Sequence, residues 1–255
     1  MDNVVIKFSE KPQLKNTILI EGLPGIGLVG KIAGDHLLDE LNGKKFGEIY
    51  SPYLPPQVAI QEDGTINIVK MELYYWKGKE NDIIFLIGDF QGITPDSQYQ
   101  IAEKIIEATK EFDVKRVYTL GGLATGAITQ KPRVFGAATT KKLVKELEGY
   151  NIIFKGGGAI FGASGLLLAF AMLNNIEAVC LMGETHGQII DAKSAESVLE
   201  VLTKILGVKI DMTEIAKKAK ETEVQINKMS KMLDDHRRVA EREQELLNDT
   251  PTYIR

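Results

Sequence analysis

Short apolar runs alternate with helix-period segments along most of the chain, and this alternation constrains the fold more than any other feature. Asp82–Gly88 is almost wholly apolar and is bounded by turn residues, as expected for a parallel strand covered on both faces. Pro95–Phe112 follows with apolar residues at helical spacing, and Pro95 suits a first helical turn. Strands and helices in this order favour a mostly parallel sheet with helices on both faces. We therefore predict a three-layer α/β/α sandwich over residues 1–210.

The same patterns predict the other elements of this domain. Strands are expected at Asn16–Glu21, within Gly64–Tyr75, and at Val114–Leu120, Asn151–Phe154 and Ala178–Met182. Helices are expected at Lys31–Leu41, Thr139–Leu147, Ala159–Leu173 and Ala192–Leu206. Ala159–Leu173 is apolar apart from Ser164 and is rich in Gly and Ala, which predicts a buried helix.

The last fifth of the sequence has a different composition. Thr213–Leu247 contains no Gly or Pro, is rich in charged residues, and repeats mostly apolar positions at 4-3 spacing. This spacing is typical of a coiled coil or a helical hairpin, so we predict a helical extension over residues 211–248. The extension either packs on its own domain or projects and pairs with another subunit. Because Pro251 stops a helix, residues 249–255 are predicted to be a flexible tail.

The bulk composition excludes several classes of protein. The formal net charge is −4, without the concentrated basic face of a nucleic-acid-binding protein. Cys180 is the one cysteine, which excludes an internal disulfide framework and fits a reducing compartment. We expect a soluble, cytoplasmic protein without a membrane partner, since no secretory signal is visible and the longest apolar stretch is short for a bilayer span.

The stretch I-E-G-L-P-G-I-G-L-V-G-K-I follows the first predicted strand and partly matches two nucleotide-binding motifs. Gly25, Gly27 and Gly30 fit G-x-G-x-x-G, the dinucleotide fingerprint. That motif also needs an acidic residue about 20 positions on, at the end of the next strand. Glu48 falls near this position but inside a possible strand, so the match is incomplete.

The phosphate-loop motif also fails in one position. After Lys31 comes Ile32, where a Ser or Thr hydroxyl should ligate magnesium, and Asp89 is a weak candidate for the acidic partner. Two interpretations stay open. Glycine permits a sharp strand-to-helix turn and close helix–sheet packing. Alternatively, Gly25, Gly27, Gly30 and Lys31 form a small-anion site at a helix N-terminus.

The remaining chemistry-bearing residues match catalytic and metal motifs poorly. Ser164 lies in G-A-S-G, where the second glycine comes one place too early for a nucleophile elbow. His186 and Asp191 follow in the order Ser–His–Asp, which is not that of α/β-hydrolases. The histidines are not in ligand-spaced pairs, although Glu184, His186 and Asp191 could form a polar cluster at a strand end. We expect no catalytic residue, no metal and no cofactor.

The combination of G-L-P-G-I-G-L-V-G-K, I-G-D-F-Q-G, T-L-G-G-L-A-T-G, G-A-S-G-L-L-L and M-G-E-T-H-G resembles the proteasome assembly chaperone 2 family. The motifs fall between Ile18 and Ala195, and archaeal-type members, formerly labelled an ATP-grasp superfamily, are the most similar. The resemblance implies a phosphorylase/hydrolase-like α/β/α fold, homo-oligomers, and a chaperone role at the proteasome α-ring instead of enzymatic activity. The older label would imply ATP-dependent ligation, for which the sequence offers no ATP-binding constellation.

This resemblance directs attention to the C-terminal residues. Proteasome activators and some assembly chaperones end in hydrophobic–Tyr–any residue, and these tails insert between neighbouring α-subunits. Here Tyr253, Ile254 and Arg255 end the chain, so the tyrosine is displaced by one position, and Thr252 is not hydrophobic. The resemblance implies that these three residues bind α-subunits. The alternatives are an enzyme, nucleotide-dependent or hydrolytic, that uses the glycine-rich loops, and a purely structural oligomer.

Overall fold

Most of the predicted apolar runs are strands of one nine-stranded sheet in a computed structural model of the protein. The structure describes residues 3–126, 129–154, 156–221 and 224. The strands are β1 Val5–Phe8, β2 Thr17–Gly22, β3 Lys44–Tyr50, β4 Val58–Ile60, β5 Ile66–Ile68, β6 Met71–Trp76, β7 Ile83–Gly88, β8 Val114–Ala124, β9 Val134–Ala138, β10 Ile152–Ile153 and β11 Glu177–Thr185. The helices are α1 Val29–Glu40, α2 Pro95–Thr109, α3 Lys141–Leu147, α4 Gly162–Leu173 and α5 Ala192–Leu206.

The strand order is β1-β3-β6-β7-β2-β8-β11-β9-β10, and β4 and β5 form a separate two-stranded sheet. The four central strands β7, β2, β8 and β11 are parallel to one another. Their apolar sequences leave both faces available for burial, as parallel strands require. Antiparallel pairs extend the sheet from β7 through β6 and β3 to β1, and from β11 to β9.

Helices cover both faces of the sheet and bury two separate apolar clusters. One cluster combines the inward residues of α1, α3 and α5, including Leu37, Leu143 and Leu202. The other combines those of α2 and α4, including Ile105 and Leu167. The fold is therefore a three-layer α/β/α sandwich built around a mostly parallel central sheet, as the sequence predicts.

The prediction that Ala159–Leu173 forms a buried helix is wrong for much of its surface. The helix begins at Gly162, and three of its residues are buried: Ala163, Leu167 and Ala171. Since these residues follow one another at intervals of four, they form one stripe facing α2 and the sheet. The other apolar side chains of α4 are partly or largely exposed. Composition predicts an apolar helix, but it does not say how many of its faces the same chain covers.

The start of the predicted extension packs on the globular domain. Residues 213–221 are helical, and Ile215 joins the apolar cluster under α1 and α5. The backbone N–H of Asp211 donates to Glu40 Oε2 at 2.9 Å, and Asp211 O lies 2.8 Å from His36 Nε2. Apart from Val224, the rest of the extension and the tail lie outside the described residues. The division into three segments stays a prediction. Within the described ranges, no helix is long and apolar enough to cross a bilayer.

Candidate functional site at the carboxyl end of the sheet

The loops that follow the central parallel strands meet at one edge of the sheet. β7 and β2 are neighbours, yet the helices that follow them, α2 and α1, lie on opposite faces. Such a reversal opens a crevice at the carboxyl ends of the strands, where open α/β proteins bind ligands. The glycine-rich loop after β2 and the loop 89–92 after β7 both lie here. This crevice is therefore the candidate functional site.

The glycine-rich loop is a compact joint between β2 and α1. The chain makes one 3-10 turn, Ile26–Leu28, in which Gly27 has a φ of 64°, a left-handed value that glycine tolerates. A Cβ at Gly30 would lie 2.1 Å from the carbonyl oxygen of Leu120, so no side chain fits between α1 and β8. Gly25 differs, because a Cβ there would meet nothing within 4 Å. Turn geometry thus explains why glycine stands at position 27, and close packing explains why it stands at position 30. No steric reason of this kind requires glycine at position 25.

A second motif of the sequence contacts this joint. A Cβ at Gly122, in T-L-G-G-L-A-T-G, would lie 2.4 Å from the carbonyl oxygen of Ile26. Glycine at this place in β8 therefore lets the loop after β2 approach the strand backbone. Gly22 and Gly34 make a similar close contact, with 2.8 Å between a Cβ built on either residue and the Cα of the other. The motifs that carry the family resemblance pack against one another.

Lys31 lies in the first turn of α1, and its charge is already paired. Nζ lies 2.7 Å from Oδ2 of Asp35 and 3.1 Å from Oδ1 of Asp89. Burial lowers the pKa of Lys31, but the two carboxylates outweigh burial and the net pKa is raised. An incoming anion would compete with both carboxylates for this ammonium group. The four predicted anion-binding residues do share one loop and helix start, and anion binding there stays a prediction.

Glu48, the weak candidate for a ribose ligand, lies away from the crevice. In the sheet, β6 and β7 separate its strand β3 from β2. The ammonium groups of Lys45 and Lys70 both donate to Glu48 Oε1 at 2.6 Å, and they lower the pKa of Glu48 to about 2. A dinucleotide site needs its acidic residue at the end of a strand beside the first one. The topology therefore argues against dinucleotide binding at the glycine-rich loop.

Glu21 is a fully buried carboxyl group near the end of β2. Its Oε2 accepts a hydrogen bond from Ser164 Oγ at 2.9 Å, and its Oε1 accepts one from the backbone N–H of Leu23 at 3.0 Å. Burial raises the pKa of Glu21 to about 7, although these donors act in the opposite direction. Sequence reasoning missed this pair because its members are 143 residues apart and no local pattern connects them.

Gln91 connects three segments across the crevice. Its Nε2 donates to the carbonyl oxygen of Pro24 in the glycine-rich loop. Its Oε1 accepts a hydrogen bond at 3.0 Å from the N–H of Ala163, in the first turn of α4. Helix starts leave such N–H groups without intrahelical partners, so Gln91 acts as a cap. The I-G-D-F-Q-G motif therefore holds the two glycine-rich segments together.

Ser164, His186 and Asp191 do not form a catalytic arrangement in the described structure. Ser164 donates to Glu21 rather than to a histidine. Asp191 caps α5, since its Oδ1 accepts from the backbone N–H of Ser194 at 2.9 Å. Its Oδ2 accepts from Thr185 Oγ1 at 2.7 Å. Both the serine and the aspartate thus have a structural partner.

Glu184, the third member of the polar cluster, lies at the end of β11 and is buried and paired with an arginine. Its Oε1 accepts from Arg133 Nη2 at 2.6 Å, and its Oε2 accepts from Arg133 Nε at 2.8 Å. This two-point hydrogen bonding lowers the pKa of Glu184. Within residues 3–126, 129–154 and 156–221, no three or more His, Cys, Asp and Glu side chains are grouped as metal ligands.

Tyr253, Ile254 and Arg255, predicted to bind α-subunits, lie outside the described residues. The site described above does not include these three residues, and their role stays a prediction.

The fold and its crevice define a three-layer α/β/α protein in which glycine-rich motifs serve as packing contacts between strands and helices. The model of the PAC2 family matches residues 19–230. Because this match spans most of the sequence, the chain belongs to the PAC2 family, as the motifs predicted.

Solved structures of two Pyrococcus furiosus proteins are similar to this chain over most of their length. PbaB, described as an archaeal proteasome activator, is 40% identical with a TM-score of 0.86, covering 90% of this chain and 100% of PbaB. PbaA, described as an archaeal homolog of proteasome-assembly chaperone, is 33% identical with a TM-score of 0.75, covering 96% and 98% of the two chains. A Methanocaldococcus jannaschii protein, MJ1210, is 41% identical over 92% of this chain and 91% of its own.

Proposed function

We propose that this chain is a non-enzymatic, proteasome-binding protein of the assembly-chaperone or activator type, acting in the cytoplasm. The observation that carries the proposal is the 40% identity over 90% of the chain to PbaB, whose description is that of a proteasome activator. PbaA, at 33% identity over 96% of the chain, is described as a homolog of an assembly chaperone. A proteasome-related role is common to both descriptions, whereas activation and assembly are alternative forms of it.

The crevice supports a binding function more than a catalytic one. The charged groups that could act on a ligand there are engaged with one another: Lys31 with Asp35 and Asp89, and Glu184 with Arg133. General acid–base catalysis needs a titratable group within reach of a substrate proton. Glu21, whose pKa is raised by burial to about 7, is 0% exposed. These residues stabilise the joint between strands and helices.

In the proposed mechanism, a homo-oligomer presents several C-terminal tails to the α-ring. Each tail places Tyr253 in a pocket between neighbouring α-subunits, with Ile254 and Arg255 beside it. A tyrosine suits such a pocket because its ring packs against apolar walls while its hydroxyl keeps a polar contact. Weak individual contacts add through effective concentration, so binding is tight without a large contact per tail.

The test is a pull-down from native extract with the full-length protein, with α-subunits quantified by mass spectrometry. Full-length protein should recover α-subunits. Deletion of residues 253–255 should reduce the recovery at least tenfold, since one aromatic hot spot is worth roughly 2 kcal/mol. Thr252→Ala, beside the deleted residues, is the control and should recover α-subunits like wild type.

Two failures have different meanings. If the deletion variant recovered as much α-subunit as wild type, the tails would not be the anchor. If full-length protein recovered no proteasome subunit at all, the proposed function itself would be wrong.

A further inference from the structure

A groove opens at the edge of the sheet opposite the crevice, at the amino ends of the central strands, and we call it the amino-end groove. It has a volume of about 580 Å³, within the usual range of ligand clefts, roughly 300–1,000 Å³. The loop 77–81, which precedes β7, forms one side, and the C-terminal ends of α1 and α5 form the other. Its lining combines apolar and basic side chains, among them Leu41, Trp76, Leu206, Lys77, Lys79 and Lys209.

The apolar wall of the groove is held in place by the core. Leu41, Trp76 and Leu206 are partly buried and pack against the apolar cluster under α1 and α5. The Trp76 ring also lies against the backbone of the following turn, since a Cβ at Gly78 would be 2.6 Å from its Cζ3 atom. The ring is therefore fixed on one side and partly exposed on the other.

The lysine-bearing loop of the groove has a well-defined backbone. Asp82 is 2% exposed, and its Oδ1 accepts a hydrogen bond from the N–H of Gly78 at 3.1 Å. Its Oδ2 accepts one from the N–H of Lys15 at 2.8 Å. The side-chain amide of Asn16 donates to the carbonyl oxygen of Glu80 at 3.2 Å. These bonds join the loop to the segment before β2, so the loop is already ordered for a contact.

Positive charge is concentrated around the groove, although the net charge of the chain is −4. Three exposed lysines and one glutamate line it: Lys77, Lys79, Lys209 and Glu80. The C-terminal ends of α1 and α5 add about half a negative charge each. The groove therefore keeps a net positive charge of about one.

The lysines of the groove differ from the cations of the adjoining cavity in lacking carboxylate partners. In that cavity, Lys115 is paired with Asp113, and Arg116 is paired with both Glu146 and Glu177. Within the described part of the chain, no lysine of the amino-end groove forms an ion pair. Their charges are therefore available to a partner.

We propose that the amino-end groove binds an acidic segment of a partner protein. A bulky apolar side chain of that segment packs on the wall of Trp76, Leu41 and Leu206, and its carboxylates face the lysines. An apolar anchor surrounded by complementary charges is the usual composition of a specific protein contact. The inference goes beyond the proposed function, since it concerns a surface that the C-terminal tails do not use.

The arrangement of charges favours a peptide over a compact phosphate group. Phosphate is held best at helix N-termini, where N–H groups converge. Two helix C-termini face this groove instead, and their partial charges repel a dianion placed between them. The lysines lie on both sides, Lys77 and Lys79 on the loop and Lys209 after α5. Separate carboxylates along an extended segment match this spacing better than one concentrated charge.

The described start of this chain's own extension leads away from the groove. The N–H of Asp211 donates to Glu40 Oε2, so the extension starts at the C-terminal end of α1. Burial and Glu200 raise the pKa of Glu196, while Lys193 and Lys220 act in the opposite direction, so Lys220 lies near Glu196. Glu196 is near the start of α5, at the carboxyl end of the sheet. The extension thus crosses towards the opposite edge, which favours an occupant from another protein.

Tryptophan fluorescence tests the proposal with full-length protein and no proteasome present. Trp76 is the one tryptophan of the chain, so its emission reports on the groove. Titration with the synthetic peptide E-E-L-F-E-E should change the emission saturably. The neutral peptide Q-Q-L-F-Q-Q and the peptide E-E-G-G-E-E, which lacks the apolar anchor, should each bind at least tenfold more weakly. Raising the salt concentration from about 0.05 M to about 0.5 M should weaken binding several-fold.

A triple variant tests the three lysines. Lys77→Gln, Lys79→Gln and Lys209→Gln together should weaken binding of E-E-L-F-E-E about tenfold, since exposed ion pairs each contribute modestly. The matched control removes the same charge at three exposed lysines outside the groove, Lys110→Gln, Lys141→Gln and Lys145→Gln. It should bind like wild type. Equal weakening in the two triple variants would show a general charge effect and overturn the proposal.

Other results would also overturn it. No saturable change in emission, equal binding of the neutral peptide, or tighter binding of ATP than of the acidic peptide would exclude an acidic protein segment. A change of emission on dilution without peptide would show that a second copy occupies the groove. A change on deletion of residues 225–255 would show that the chain's own extension does. Deletion of residues 253–255 should leave the peptide titration unchanged, so this test and the pull-down test of proteasome binding fail independently.

Discussion

Replacing Glu21 with Gln should stabilise the protein at alkaline pH and change little under mildly acidic conditions. Glu21 is 0% exposed, and burial raises its pKa from 4.5 to about 7. A glutamine of the same shape can keep both hydrogen bonds. Its carbonyl oxygen can accept from the N–H of Leu23, and its amide can donate to the hydroxyl of Ser164.

The sign and size of the effect follow from linkage. Because the pKa is higher in the folded state, the folded protein holds a proton that the unfolded chain has released between about pH 4.5 and 7. This stabilising contribution is complete below pH 4.5 and is lost as the pH rises through 7. The total loss for this carboxyl group is roughly 3 kcal/mol, from about 1.4 kcal/mol per pH unit.

Urea unfolding of both proteins from pH 5 to pH 9 measures the difference. The free energies of unfolding should agree within about 1 kcal/mol at pH 5, and Glu21→Gln should be more stable by roughly 3 kcal/mol at pH 9. Other titrating groups are common to both proteins and cancel in the comparison. A difference that stays constant across this range, or a less stable variant at pH 9, would refute the reasoning.

Ser164→Ala provides an independent check on the same group. The serine hydroxyl lowers the pKa of Glu21, so its removal should raise that pKa further. The test compares the Ser164→Ala variant with the double variant Ser164→Ala, Glu21→Gln by urea unfolding at each pH. The difference in the free energy of unfolding between these two proteins should reach half of its full value at a higher pH than the same difference measured without Ser164→Ala. A downward movement would show that the hydroxyl does not donate to the carboxylate.

Three further variants test the joint between strands and helices. Gly30→Ala should lower the free energy of unfolding by about 1–3 kcal/mol, because its Cβ would meet the β8 backbone at 2.1 Å. Gly25 lies in open space with φ −151°, so Gly25→Ala should stay within about 0.5 kcal/mol of wild type in the same urea titration. Equal losses of unfolding free energy in the two variants would contradict the packing argument. Asp191→Ala should lower the free energy of unfolding by about 0.5–2 kcal/mol, since the hydrogen bond that caps α5 at Ser194 is removed. Amide hydrogen exchange should then show faster exchange at the start of α5, and unchanged protection there would refute the capping role.

The order of the central elements could be predicted from sequence because parallel strands and their crossover helices leave long, regular apolar patterns. The run Asp82–Gly88 became β7 Ile83–Gly88, and Ala192–Leu206 was predicted with the bounds the structure has. β1, β4 and β9 were missed. β1 is an edge strand with every second residue exposed, and β9 contains Gly136 and small alanines that carry weak strand preference.

The candidate site could be predicted only in part. The glycine-rich loop was located correctly between β2 and α1 because its motif is local in sequence, whereas ligand binding there stays untested. The partners of Lys31 and Glu21 could not be found in this way. Asp89 and Ser164 reach them from other strand–helix units, so these contacts depend on the order of strands in the sheet.

At the carboxyl end of the sheet, charged side chains pair with one another and glycines bring backbones into contact. In the proposed mechanism, proteasome binding depends instead on the C-terminal tails, and a homo-oligomer presents as many tails as it has copies. Binding of a further tail after the first contact is then intramolecular. Its strength depends on effective concentration more than on the affinity of one displaced tyrosine.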